Sequence, residues 1–132
     1  MLDTSVLIDL NRIAATELPV EVAVSTVSLA ELVCGPLATE ELQERARRQG
    51  VLERIEALVD PLPFDVASAR AYAHVYASVR AAGRKPRGAR AVDLLIAATA
   101  LSRGLPLYTC NPDDFAGLDG LDVIPVAARP RS

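Results

Sequence analysis

Apolar residues fall along this chain in short strand-like clusters separated by longer stretches of helical period. Met1 to Asp3 reads as a very short strand, and Val6-Leu7-Ile8-Asp9-Leu10 follows as a helix apolar nearly all round, which must bury more than one face. Val22-Ala23-Val24-Ser25, set off by Pro19, is a second strand. From Thr39 to Val59, Leu42, Ala46, Leu52, Ile55 and Val59 recur at helical intervals beside a solvated face with Arg45, Arg47 and Arg48. That segment is a helix or a helical pair, interrupted only at Gly50. Asp60-Pro61-Leu62-Pro63-Phe64 is at most a short edge strand, because each proline removes a ladder donor. Asp65 caps a helix over Val66 to Ala82 that stops at Gly83. An alanine-rich helix through Ala91 to Leu101 stops at Gly104, and Leu105 to Thr109 is a third convincing strand. Cys110 to Phe115 is a loop or a single helical turn, Val123 to Val126 is a last strand, and residues 127–132 are a frayed tail.

Strands separated by long helical crossovers specify an α/β fold, a parallel sheet with helices on both faces. Ligands of such sheets bind beyond the carboxyl ends of the strands. With 132 residues, 51% of them hydrophobic, the chain reads as a single domain, 1–132, able to bury a real core. It has no apolar run of the ~18 residues a membrane span needs, and no basic segment followed by a signal-type stretch. The expectation is a cytoplasmic protein with no membrane partner. Cys34 and Cys110 match no zinc spacing and read as reduced thiols, with a disulfide between them as the minor alternative.

Asp93 is the anomaly of the chain, a carboxylate inside an apolar helix on the face shared with Ile96, Ala97 and Ala100. An ionised carboxylate there needs hydrogen bonds, a cation or a metal. The competing explanation makes Asp93 the N-cap of a helix starting at Leu94. Asp3, Glu31 and Asp114 sit beside other apolar runs, where a parallel sheet would gather them at one edge. Asp3 is followed by Thr4 and Ser5, hydroxyls able to hold a carboxylate or open a helix. Glu31 has a structural alternative too, since Ser28 and Glu31 have the spacing of a capping box.

Charge refines this picture. A formal charge of -3 and a pI near 5.1 argue against broad nucleic-acid binding. Between Arg80 and Arg90, however, Arg80, Arg84, Lys85, Arg87 and Arg90 form an acid-free run leading into the Asp93 helix. It is a solvated loop or, beside an acidic site, a strip for a phosphodiester backbone along Arg84, Lys85, Arg87 and Arg90. Three Tyr and two Phe, with no Trp, give little material for a base-stacking platform. His74, the only histidine, has no visible nucleophile beside it and receives no role.

Four converging carboxylates repel one another, so something positive has to sit between them. An all-oxygen donor set selects Mg2+ or Mn2+, and such a site suits hydrolysis of a phosphodiester. Asp3-Thr4-Ser5, Ala30-Glu31-Leu32, the stretch from Asp93 to Ala100 and Thr109-Cys110-Asn111-Pro112-Asp113-Asp114-Phe115 together resemble the four signatures of PIN-domain ribonucleases, in particular VapC toxins of VapBC toxin-antitoxin pairs. The resemblance implies metal ligation by Asp3 and Asp93, an acidic site completed by Glu31 and Asp114, and support from Thr4 or Ser5, Thr109 and Asn111. Asp114 is preferred to Asp113 because the motif sets its acid next to Phe115. It further implies a three-layer fold with strand order 3-2-1-4-5, RNA cleavage dependent on Mg2+ or Mn2+, a homodimer, and inhibition by a VapB-type antitoxin. The rival classes are a phosphorelay receiver, which lacks its strand-end lysine here, and a non-catalytic module of the same fold, expected to have lost at least one of the acids. A haloacid-dehalogenase-type phosphatase needs a second acid where Ser5 stands.

Overall fold

The computed structural model describes residues 1–85 and 88–130, apart from the side chain of Ala89. Its helices are α1 (Thr4–Ile8), α2 (Thr26–Cys34), α3 (Leu42–Leu58), α4 (Val66–Ala81) and α5 (Ala89–Ser102). Its strands are β1 (Leu107–Thr109) and β2 (Val123–Pro125), and short 3-10 turns occupy Leu10–Arg12, Ala15–Glu17, Gly35–Ala38 and Pro112–Phe115.

β1 pairs in parallel with β2, Leu107 opposite Val123 and Thr109 opposite Pro125. Beside β1, Tyr108 bridges Leu2, Leu2 bridges Val24, and Ser25 bridges Leu62, all in parallel. The segments expected as strands at Met1 to Asp3, Val22 to Ser25 and Asp60 to Phe64 are thus joined by isolated bridges rather than paired as full strands. Alternation sorts their side chains between two layers. Met1 and Leu107 join Val75, Val79, Leu94, Ile96 and Phe115 on one face, whereas Leu2 and Val24 join Val6, Leu7, Leu52 and Ile55 on the other. Helices therefore cover both faces, α4 and α5 on one, α1 and α3 on the other.

Several expectations change. α1 ends at Ile8, which is 41% exposed, so the first helix is short and leaves an apolar side chain uncovered. α3 is one continuous helix through Gly50, where an added Cβ would meet no atom within 4 Å. The segment read as a frayed tail is tied down at Arg129, whose N–H donates to the Arg12 carbonyl and whose carbonyl accepts from Arg12 Nη1, both at 2.6 Å. Cys34 and Cys110 are both free thiols, which removes the disulfide alternative. Asp65 does cap α4, accepting the Ser68 N–H at 2.9 Å.

Candidate active site

Asp3 leaves the sheet after Leu2 and becomes the N-cap of α1. Its Oδ1 accepts the Val6 N–H at 3.1 Å and the Ser5 hydroxyl at 2.6 Å, and the residue is only 4% exposed. A carboxylate this buried is tolerated because donors address it directly. Ser5 Oγ also accepts the Cys110 N–H at 3.0 Å and lies 3.4 Å from Thr109 Oγ1. Since the single Ser5 proton goes to Asp3, Thr109 is the donor in that contact. Thr109, fully buried, accepts the Asn111 N–H at 2.9 Å, and the Asn111 carbonyl accepts the Asp114 N–H at 3.1 Å. A chain of hydroxyls and amides thus runs from Asp3 to the turn that carries Asp114. The Asn111 residue itself is exposed.

Thr4 serves a different acid. Its Oγ1 donates to Glu31 Oε1 at 2.6 Å, with Ser28 Oγ 3.1 Å away. The capping-box reading of Ser28 and Glu31 is overturned, because the N-cap of α2 is Ser25, which accepts the Ser28 N–H at 3.0 Å. Glu31 then lies in the second turn with an exposed side chain and no cap to serve. Ser25 takes the cap because the sheet bridges at Val24 and Ser25 hold the chain extended up to that residue.

The N-cap alternative for Asp93 is overturned as well. α5 begins at Ala89 after Gly88, whose φ of 70° suits glycine, so Asp93 lies in the second turn. Its carboxyl is pushed up from the ordinary 3.8 to about 6, first by burial, then by the charges of Asp114, Glu31 and Asp3, while Arg90 pulls it down. Acids from four separate segments therefore share one field. Asp114 is half-buried and Asp113 exposed. The basic run behaves differently from the strip expected of it: Arg90 Nη1 donates to the Asp114 carbonyl at 3.1 Å and Arg84 Nη1 to the Asp113 carbonyl at 3.0 Å. Lys85 is exposed, and Arg87 lies outside the described residues. Local composition hid these contacts, although Arg90 stands three residues before Asp93 on the same helical side, which was a usable signal.

Among the described residues, no three His, Cys, Asp or Glu side chains stand close enough to hold an ion as placed. The acids meet through their field rather than by contact. Their donor set nevertheless fits a hard divalent cation that keeps part of its water shell, since the four acids offer oxygen alone. His74 is elsewhere, its Nε2 lying 2.9 Å from the Asp119 carbonyl. Burial raises the Cys110 thiol, which keeps it protonated near neutral pH. Beside Glu31 opens a cleft of about 270 Å³ lined by Ile8, Leu32, Val51, Arg47 and Arg48. Both arginines bond Glu44, whose carboxyl they pull down to about 2.

Comparison with known proteins agrees with this geometry. The family model of the PIN domain matches residues 1–121. Ribonuclease VapC5 of Mycobacterium tuberculosis is 41% identical over 123 residues, covering 91% of this chain and 87% of its own. The tRNA(fMet)-specific endonuclease VapC of Shigella flexneri is 34% identical over 101 residues, covering 76% of this chain and 72% of its own. The crystal structure of VapBC-5 from M. tuberculosis, a member of the VapBC family of toxin-antitoxin systems, superposes with a TM-score of 0.83 at 39% identity, covering 95% of this chain and 96% of that one. With the model spanning most of the sequence and the acids at one sheet edge, the chain belongs to the PIN-domain family, among its VapC ribonucleases.

Proposed function

We propose that this chain is the toxin of a type II toxin-antitoxin pair and hydrolyses RNA at the edge marked by Asp3, Glu31, Asp93 and Asp114. The observation that carries the reading is the gathering of Asp3, Glu31 and Asp114 around Asp93 from three other segments, which with burial pushes the Asp93 carboxyl up. PIN-family nucleases generally depend on a divalent metal, and the oxygen-only donors here favour Mg2+ or Mn2+. Asp3 and Asp93 hold the ion, and Glu31 and Asp114 complete the acidic site. When bound, that ion supplies polarisation of the phosphate and activation of a water. Ser5 orients Asp3, Thr4 orients Glu31, and Thr109 with Asn111 holds the Asp114 turn.

Glu31→Gln separates chemistry from structure. Thr4 still finds an amide oxygen and α2 keeps its Ser25 cap, so stability should change by less than about 0.5 kcal/mol. Cleavage of RNA in Mg2+ or Mn2+ should nevertheless fall about tenfold or more, as for a group near the metal. A variant as active as the wild type, with equal sensitivity to chelator, would remove Glu31 from the site.

Of the basic run, Lys85 and Arg87 are proposed to touch the RNA backbone, whereas Arg84 and Arg90 have their heads on the carbonyls of the Asp113 to Asp114 turn. Losing two phosphate contacts lowers the slope of log affinity against log salt by about 1.4 to 1.8. Lys85→Ala with Arg87→Ala should therefore weaken binding and flatten its salt dependence while leaving the cut position unchanged. A wild-type slope would take the loop out of the RNA path.

A VapB-type antitoxin is the proposed inhibitor of this chain. Ile8, Val33, Leu37 and Leu42, all exposed, offer it apolar surface on α1, α2, the Gly35–Ala38 turn and the start of α3. A homodimer in the cytoplasm completes the reading, and no helix among the described residues is long and apolar enough to cross a membrane.

A further inference from the structure

Arg90 is out of place by the ordinary rules of helix termini. It occupies the first turn of α5, where the macrodipole disfavours a cation, and Gly88 supplies no side-chain cap to offset it. Nothing about helix stability asks for an arginine there. Its Nη1 instead donates to the Asp114 carbonyl at 3.1 Å, a partly buried bond between α5 and the Pro112–Phe115 turn. Arg84 bonds the neighbouring Asp113 carbonyl at 3.0 Å from outside.

We infer that Arg90 is a positioning residue acting through Asp114: its guanidinium clamps the Pro112–Phe115 turn to the start of α5 and so sets the Asp114 carboxylate against Asp93. The inference rests on the acidic-site reading above. It departs from the phosphate strip, in which Arg90 would touch RNA directly. The same cation sits one turn before Asp93 and offsets part of the repulsion among the acids. A bidentate-capable head suits this double duty, since one guanidinium nitrogen is committed to the carbonyl and the charge stays near the carboxylates.

The test is a Mn2+ titration followed by thermal melting on wild type, Arg90→Ala, Arg90→Lys, Asp114→Asn and the Arg90→Ala, Asp114→Asn double variant, with RNA binding measured across a salt series. A clamp on a group near the metal predicts that Arg90→Ala needs about tenfold more Mn2+ for its stabilising shift. Arg90→Lys, which keeps the charge and a donor, should lie between Ala and wild type, and it also serves should the Ala variant fail to fold. In the Asp114→Asn background the Ala substitution should add nothing further, because coupling through one group is not additive. The RNA salt slope of Arg90→Ala should match wild type. An unchanged Mn2+ midpoint with a slope shallower by about one would make Arg90 a phosphate contact and overturn the inference. Equal Mn2+ effects in the two backgrounds would overturn it as well. A wild type whose melting ignores Mn2+ would bring down the acidic-site reading and this inference with it, a result distinct from either.

Discussion

Asp93→Asn is expected to lower RNA cleavage by about two to three orders of magnitude, the size of several kcal/mol of transition-state stabilisation lost with the ion. The protein should stay folded, because the amide matches the carboxyl in shape and the side chain is only half-buried. Asp3→Asn should behave alike, since an asparagine oxygen can still accept from Val6 N–H and from Ser5 Oγ. The two losses should not add when combined, because either substitution removes the same ion. Cleavage by both single variants at rates near wild type, checked on protein of verified fold, would contradict the site.

The second large effect is on stability against pH. Asp93 binds its proton more tightly folded than unfolded, its carboxyl standing at about 6 against an ordinary 3.8. The stability contributed by that proton is fully present below the ordinary value and is lost as pH rises through about 6. Without metal, the protein should therefore lose about 1 to 2 kcal/mol between pH 4 and pH 7, after discounting the shift for the screening of a half-buried group. Glu44 and Asp65, both held low by their partners, act in the opposite sense as pH falls below their ordinary values of 4.5 and 3.8, so they overlap only the acid end of this window and leave the fall through pH 6 to Asp93. Asp93→Asn should flatten the curve and make the metal-free protein more stable at neutral pH. Mn2+ at a hundredfold excess over its Kd should restore about 2.7 kcal/mol at pH 7. Near pH 5 it should do much less, because the proton and the ion compete for one carboxylate. Calorimetric melts over this range check all of it, and a flat wild-type curve indifferent to Mn2+ would contradict the shared field.

Much of this architecture was legible because the acids follow apolar runs, and in a parallel sheet the ends of those runs meet at one edge. Asp65 and the glycines at 83 and 104 likewise announced the limits of α4 and α5 through local chemistry alone. What escaped was set by pairing at a distance. Ser25 and Ser28 are equally good caps by residue type, and the choice between them depends on Ser25 lying opposite Leu62. The start of α5 depends on the turn at Gly88, so the cap alternative for Asp93 stayed open from sequence alone, although Asp93 stands a full turn inside the helix. The run holding Arg84 and Arg90 read as a strip for a phosphodiester backbone or a solvated loop because the carbonyls those two arginines hold lie 29 and 24 residues further on. The tail read as frayed for the same reason, its partners being Asn11 and Arg12 at the other end of the chain.

The chemistry of the cut ends tests the central claim most directly. Among the described residues, His74 lies against the Asp119 carbonyl and Lys85 is exposed, so the proposed chemistry at the acidic edge is hydrolysis by a water activated on a divalent ion rather than attack by a ribose hydroxyl. RNA cut by the purified protein in Mg2+ or Mn2+ should therefore carry 5′-phosphate and 3′-hydroxyl ends, and no new ends should form in chelator or with Asp93→Asn. Ends bearing a 2′,3′-cyclic phosphate, or cleavage that persists in chelator, would contradict metal-assisted hydrolysis at this site.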